Sequence, residues 1–218
     1  PNRGDADFND YVVQMYQEQD LNASGKLVEL RAHYQHIAKG AGYDHTLHLA
    51  LPASVQGSAT LVRYSASDEE LSRSNQSIAD GNAIEILGRS NQTITQSNTG
   101  KNQTFVAGQK AVLTFLPSAP VALATMGKAP YDLFIKVLNP GHEVHFAGKF
   151  FRADGSDKYI HSAGFPWALL VPDYFQWPYE RENIHDAYPQ FDDWYLSAGK
   201  DFRGWYDSPV NQYVFPLN

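Results

Sequence analysis

The chain contains no cysteine among its 218 residues, which excludes a disulfide scaffold and thiolate metal sites. It also lacks any cluster of Lys and Arg. With 24 acidic and 17 basic residues and a formal net charge of −7, it has no basic patch of the kind that nucleic-acid binding requires. No apolar run approaches the ~20 residues that span a bilayer, so we expect no membrane insertion. The acidic excess suits a secreted protein that binds divalent cations.

The common enzyme signatures are also missing. The sequence has no G-x-S-x-G elbow, no Walker loop, no G-x-G-x-x-G and no nucleophilic cysteine. Paired carboxylates at 180/182 and 192/193 could suggest a glycoside hydrolase, but we expect them on the solvated faces of short helices. These absences argue against an enzyme, and we expect no catalytic residues.

Aromatic residues are abundant, with 13 Tyr, 12 Phe and 4 Trp against 2 Met, and this composition favours a β-rich protein. Residues 26–37 alternate apolar and polar side chains, which is typical of a half-buried antiparallel strand. Further strands are predicted over 11–17, 47–51, 60–64, 111–116, 133–138 and 141–146, and a buried one over 166–171. Short helices are predicted within 178–197. The fold class predicted is mainly β, an antiparallel β-sandwich with a few short helices toward the C-terminus.

We expect a single ligand-binding domain over residues 1–218, with a polar insertion around 65–109. That stretch is rich in Ser, Asn, Gln, Thr and Gly, a composition that favours long loops and short edge strands. No internal repeat is present, which argues against a structural spacer. Because the chain starts at Pro1 without a signal peptide, we expect a monomeric domain of a larger protein.

The sharpest local pattern precedes the first predicted strand and contains Asp5, Asp7, Asn9 and Asp10. Oxygen side chains at alternate positions can surround calcium, which takes six to eight oxygen ligands at about 2.3–2.6 Å. An EF-hand is excluded, because Asp10 stands where that motif has Gly and its twelfth position is not Glu. A metal-free, Asx-rich turn that caps the strand remains the alternative.

Two other acidic motifs are candidates. The run His142-Glu143-Val144-His145 does not have the spacing of an H-E-x-x-H zinc site. Glu143 is instead a candidate calcium ligand, a structural residue or a member of a plain surface pair. Residues 154–157 (DGSD) fit a hairpin turn or a second calcium loop. Phe8, inside the first acidic loop, indicates that this loop is pinned to the core.

Five stretches occur in the order found in the bacterial LruC-type domain, which the chain resembles over most of its length outside 65–109. They are residues 7–13 (DFNDYVV), 40–43 (GAGY), 139–145 (NPGHEVH), 166–173 (PWALLVPD), and a series containing Pro178, Glu180, Ile184, Ala187, Tyr188, Pro189, Phe191 and Trp194. The chain is also similar to the peptide-binding modules of giant RTX adhesins.

This resemblance implies a calcium-dependent module at the extracellular surface of Gram-negative bacteria, in a protein that mediates cell adhesion and biofilm formation. It implies that Asp5, Asp7, Asn9 and Asp10 hold Ca²⁺. The implied partner is a short peptide or a protein C-terminus on another cell, captured through its free carboxylate. A calcium-dependent carbohydrate-binding module that takes a glycan has the same fold class and metal, and a glycoside hydrolase is a further alternative.

Overall fold

The computed structural model describes residues 6–217, which form two antiparallel β-sheets and a C-terminal region with little regular structure. The strands are β1 (Val12–Leu21), β2 (Lys26–Ala38), β3 (His45–Ala50), β4 (Gly57–Tyr64), β5 (Glu70–Ile78), β6 (Ile84–Leu87), β7 (Lys110–Pro117), β8 (Val121–Ala122), β9 (Asp132–Val137) and β10 (His142–His145). The first sheet has the order β1-β2-β7-β4-β5, with β8 paired to the start of β2, and the second has the order β10-β9-β3-β6.

The two sheets bury their inner faces against one another in a shared core. On β2 the alternation predicted from sequence places Leu30, Ala32 and Tyr34 in this core. Leu47 and Leu49 of β3 reach the same core from the second sheet. The predicted mainly β fold with antiparallel sheets is therefore confirmed, and its two-layer packing is that of a β-sandwich.

The polar stretch around 65–109 supplies an edge strand to each sheet, β5 to the first and β6 to the second. All but one of the β5 residues are exposed, which agrees with its polar composition. Ile84, Ile86 and Leu87 of β6 are buried in the shared core. These few apolar residues within the otherwise polar stretch thus anchor it to the sandwich. Helix α1 (Ser90–Thr93) follows β6.

The buried strand predicted over 166–171 is wrong. Pro166 forms an isolated bridge with Ile160, and the remaining residues are coil. The run is only half-buried, with Leu169 and Val171 packed against a second core in the C-terminal region. An apolar run without a neighbouring strand has no ladder to join, and a proline at its first position removes one backbone donor.

The C-terminal region contains the predicted short helices and a core made mainly of aromatic rings. Helix α2 (Leu123–Met126) lies before this region, between β8 and β9. The elements of the C-terminal region are α3 (Ile184–Ala187), α4 (Phe191–Leu196) and a 3₁₀ helix over Trp205–Asp207. Their buried side chains form a cluster separate from the shared core: Phe165, Ile184, Ala187, Tyr188, Phe191, Trp205 and Val214, with Ala6. Across residues 6–217, no helix has the length and apolar content required to cross a bilayer.

Candidate cation site ahead of the first strand

The segment that leads into β1 is held firmly in the fold. Phe8 has a φ of 52°, a left-handed conformation that is rare for an aromatic residue. Its ring meets those of Phe191 at 5.8 Å and Phe165 at 6.4 Å, both edge to face. The carbonyl of Ala6 accepts a hydrogen bond from Ile184 N–H at 2.8 Å. The prediction that Phe8 pins this loop to a core is confirmed, although that core is the C-terminal one.

Asn9 is completely buried and has one polar atom without a partner. Its Nδ2 donates to the Pro178 carbonyl at 3.0 Å, and its backbone carbonyl accepts from Gly40 N–H at 2.9 Å. The contact with Pro178 fixes the orientation of the amide, because only a nitrogen can donate to that carbonyl. Among the described residues, nothing hydrogen-bonds to Oδ1. A buried acceptor left in this state costs about 1–3 kcal/mol.

The unpaired oxygen of Asn9 points into the space above Gly40. A Cβ atom placed on Gly40 would lie 2.0 Å from Asn9 Oδ1 and 2.7 Å from Glu180 Oε2. The two oxygens are therefore less than about 5 Å apart, within the largest separation that two ligands of one calcium ion can have. Of the two, Asn9 Oδ1 is the acceptor that lacks a partner, and a cation bound to it would also be within reach of Glu180 Oε2.

Asp7 lies beside the same turn of the chain. Its Oδ2 accepts from Arg181 N–H at 3.4 Å, and its side chain is almost fully buried, with the residue only 4% exposed. Glu180, by contrast, is exposed. Asp7 and Asn9 are thus the buried oxygen donors of this region, and Glu180 is the exposed one. Two carboxylates and an amide oxygen are the donor types that calcium prefers.

The other residues predicted as calcium ligands have different outcomes. Asp5 lies outside the described residues, and Asp10 is exposed at the start of the strand region. Glu143 lies on β10, where it contacts Lys136 Nζ at 3.4 Å and His145 Nε2 at 3.3 Å. Its carboxylate therefore takes part in contacts of the second sheet, which is a structural role, and it is not brought together with Asp7 and Asn9 by any contact described.

The electrostatics of Glu143 follow from those contacts. Burial raises the pKa of its carboxyl, but the hydrogen bonds from His145 and Lys136 outweigh burial and hold the pKa below its usual value. The other ring nitrogen of His145 contacts Asp132 at 2.9 Å. In residues 6–217, no group of three or more His, Asp or Glu side chains is arranged to hold a metal. A complete calcium shell would therefore draw on amide, backbone or ligand oxygens beyond Asp7 and Glu180.

The 154–157 motif forms the predicted hairpin turn. Asp154 Oδ1 accepts from Ser156 N–H at 2.9 Å and from its hydroxyl at 2.6 Å. Phe151 and Asp157 pair across the turn. The carboxylate of Asp154 thus closes the turn through its own neighbours.

Glu180 is the site residue that sequence reasoning missed. We expected it on the solvated face of a short helix, but it lies in a turn before α3, next to Arg181 with a φ of 68°. Its backbone N–H donates to the Thr99 carbonyl at 2.8 Å. The position of Glu180 depends on long-range packing, and the spacing of Asp and Glu along the chain carries no signal for it.

Comparisons with known proteins show a structure with a similar fold and a family whose model matches the chain. A crystal structure from Bacteroides ovatus, described as a "putative lipoprotein", matches with a TM-score of 0.75 and 16% sequence identity, over 97% of this chain and 70% of that chain. At this identity the likeness shows the fold alone. No curated protein matches the chain. The narrower resemblance to LruC-type domains and RTX adhesin modules is not brought out by these comparisons and stays a prediction. The family model described as a domain of unknown function, DUF4842, matches residues 25–206, and the protein belongs to this family.

Proposed function

We propose that this protein is a calcium-dependent ligand-binding module of a larger bacterial surface protein, which captures peptide C-termini on other cells and so mediates attachment. The observation that supports it most is the buried, unpaired Oδ1 of Asn9, which converges with Glu180 Oε2 on the space above Gly40. The surface location draws on the structural neighbour from Bacteroides ovatus, which is described as a lipoprotein.

The donor set favours calcium over other common ions. Zinc prefers nitrogen and sulfur ligands, whereas Asp7, Asn9 and Glu180 offer only oxygen. Mg²⁺ demands near-ideal octahedral geometry, and calcium tolerates irregular shells of six to eight oxygens. Asp7 and Asn9 would hold the ion from the buried side, and Asp5 would complete the acidic pattern that the resemblance implies.

The open side of the site suits a carboxylate ligand. The bound ion would supply positive charge at the surface, where Glu180 is exposed. Tyr43 follows Gly40 by three residues and is 54% exposed, and an exposed tyrosine ring is a suitable surface for a ligand's last side chains. Few atoms are engaged in such a contact, so we expect micromolar affinity, with avidity supplied by many copies on one cell.

A glycan is the second candidate ligand. Tyr174 is 84% exposed, and an exposed tyrosine ring is a suitable platform for a sugar. In either case the proposed role is binding without turnover.

The decisive variant is Glu180→Gln, which removes one ligand charge at an exposed position and leaves the side-chain shape unchanged. Its matched control is Glu182→Gln on the same segment, because Glu182 pairs with Lys101 at 2.6 Å instead of facing Gly40. Calcium titration calorimetry should show at least a tenfold weaker site in Glu180→Gln and an unchanged one in the control.

Thermal unfolding with calcium and with EGTA gives the second measurement. Calcium at a hundredfold excess over its dissociation constant stabilises a single site by about 2.7 kcal/mol, which corresponds to roughly 5–10 °C for a domain of this size. A melting temperature that chelation leaves unchanged would remove calcium from the proposal. Equal binding of free and amidated peptide ends would remove carboxylate capture, and selective binding on a glycan array would favour the second candidate.

A further inference from the structure

β1 is an edge strand whose outer side has no partner in the described chain. It pairs only with β2, along its whole length from Val12 to Leu21. Alternate residues of an edge strand direct their N–H and C=O groups away from the sheet. Among the hydrogen bonds of residues 6–217, none reaches these outward groups. The outer side of β1 is thus a template for one more strand.

The other sheet edges differ from β1. On β6, the carbonyls of Glu85 and Ile86 accept from the guanidinium of Arg63, so a side chain already occupies that backbone. β10 has only four residues. β5 is long and exposed, but it forms the opposite edge of the sheet from β1. β1 is the edge that starts directly after the candidate cation site, since Asn9 precedes Val12 by three residues.

We propose that the peptide ligand adds to β1 as an antiparallel strand, with its terminal carboxylate directed to the cation held by Asp7, Asn9 and Glu180. This inference rests on the proposed function. An antiparallel strand runs opposite to β1, so its C-terminal end lies beside Val12, about 10 Å along the chain from Asn9 at 3.3 Å per residue. The terminal carboxylate then points toward the cation, which it can coordinate directly, whereas a parallel strand would bring the N-terminal end there.

The side chains of β1 indicate what such a peptide would carry. Tyr16 is 61% exposed and Gln14 is exposed on the same outer face, while Val13 and Met15 pack against the shared core. Cross-strand neighbours on one face interact most strongly when they are aromatic or β-branched. The ligand class is therefore an extended peptide with a free C-terminus and an aromatic or β-branched residue beside Tyr16.

N-methylation of the ligand tests this pairing without altering the protein. The probe is a pool of acetylated octapeptides rich in Val, Thr and Tyr with free carboxylates, and its tightest member is remade with one N-methyl group at each position in turn. In the presence of calcium, a single N-methyl group at any of the alternate residues that face β1 should weaken binding about tenfold. The reason is that each such methyl group removes one hydrogen bond of the ladder. Methylation at the intervening residues, whose N–H groups face solvent, should change affinity less than threefold.

Amide exchange and one variant localise the contact. The peptide should slow exchange of outward amides within residues 12–21 at least tenfold, while those of β5, the internal control edge, stay unchanged. Tyr16→Ser should weaken peptide binding and leave calcium affinity intact, and Leu71→Ser, at an exposed position on β5, should change neither.

The possible failures are distinct. If the protein does not bind calcium, or if it binds no peptide of the pool, the proposed function itself is wrong. Peptide binding that tolerates N-methylation equally at all positions, or that leaves β1 amides unprotected, overturns the strand pairing alone. A third outcome would assign this edge to a second copy of the chain. In that case the protection of β1 amides would rise with protein concentration in the absence of peptide, and sedimentation would show dimers.

Discussion

The two parts of this molecule satisfy their backbone in different ways. Between Val12 and His145 the chain forms ten strands, whose ladders pair backbone with backbone. Beyond His145 the described chain has two short helices, one 3₁₀ helix and three isolated bridges. There the structure depends on turns, side-chain hydrogen bonds and ring packing. The candidate cation site lies where the two parts meet, because Asp7 and Asn9 precede β1 and contact the segment that contains Pro178 and Arg181.

Ring packing around Phe191 replaces ladders in the C-terminal part. This side chain is fully buried and its ring lies 4.9 Å from Trp205, 5.7 Å from Trp194 and 5.8 Å from Phe8. Such a cluster depends on a few large side chains, so the loss of one should release a large segment. The sheet core, in contrast, divides its burial among many residues on several paired strands.

The largest effect is expected from Phe191→Ala, compared with Leu113→Ala in the centre of β7, where Leu113 is also fully buried. Phe191→Ala should cost about 3–5 kcal/mol of unfolding free energy and Leu113→Ala about 2–5 kcal/mol. Amide exchange should separate them: Phe191→Ala should lose protection beyond residue 146 while β2 and β7 keep theirs, and Leu113→Ala should lower protection throughout. A uniform loss in both variants would mean that the two parts unfold as one unit.

The difference between the strand region and the C-terminal part also explains which elements could be predicted from the sequence. Alternation in residues 26–37 identified β2 nearly to its ends, because one face of that strand is buried and the other is not. The apolar run at 166–171 led to a wrong strand prediction, because it packs against the aromatic core without a neighbouring strand. Periodicity reports which side of an element is buried, but it does not report whether a pairing partner exists.

Acid should weaken the strand region through three buried histidines, His36, His45 and His48. Burial is the main cause that lowers the pKa of each to about 4, from a usual value near 6.5. The unfolded chain then binds more protons than the folded one between pH 6.5 and 4, so stability is full above pH 6.5 and falls as the pH drops to about 4. Carboxylates titrate mainly below pH 5, so the part of the slope above pH 5 reports the histidines.

Urea unfolding at pH 7, 6, 5 and 4 measures this effect. Each histidine should contribute a slope on the order of 1 kcal/mol per pH unit. His36→Gln should flatten the slope by about a third, since Gln can still donate to the Ala38 carbonyl that His36 Nε2 contacts at 3.1 Å. A slope that the substitution leaves unchanged would contradict the assignment to buried histidines.

A smaller effect is expected at the junction, from Gly40→Ala. The added Cβ would lie 2.0 Å from Asn9 Oδ1 and 2.9 Å from its Cγ, so the Asn9 side chain must move from its contact with Pro178. We expect a loss of about 1–3 kcal/mol and at least tenfold weaker calcium binding. Gly42→Ala is the control, because its Cβ would meet nothing within 4 Å and should change stability by less than about 0.5 kcal/mol. Equal effects of the two variants would contradict the geometry at Gly40.

The candidate site has residues from both parts of the fold, and only those ahead of the strand region could be predicted from the sequence. The acidic loop was visible in the sequence because Asp7 and Asn9 are close together along the chain. Glu180 was not, because it reaches the loop through packing of the C-terminal part, which has no periodic pattern. Glu143 is a candidate from its place in the motif at 142–145, and in the second sheet it pairs with Lys136 and His145.

The smallest effect tests whether side chains support the C-terminal backbone. Tyr188 is fully buried and its hydroxyl donates to the Gln176 carbonyl at 2.7 Å. Burial raises the pKa of Tyr188, so its hydroxyl stays a donor across the working pH range. Tyr188→Phe leaves that carbonyl without its donor and should cost about 1 kcal/mol in urea unfolding. Tyr174→Phe removes the same hydroxyl from a ring that is 84% exposed and should be neutral, so equal costs would show that this hydrogen bond does not stabilise the C-terminal part.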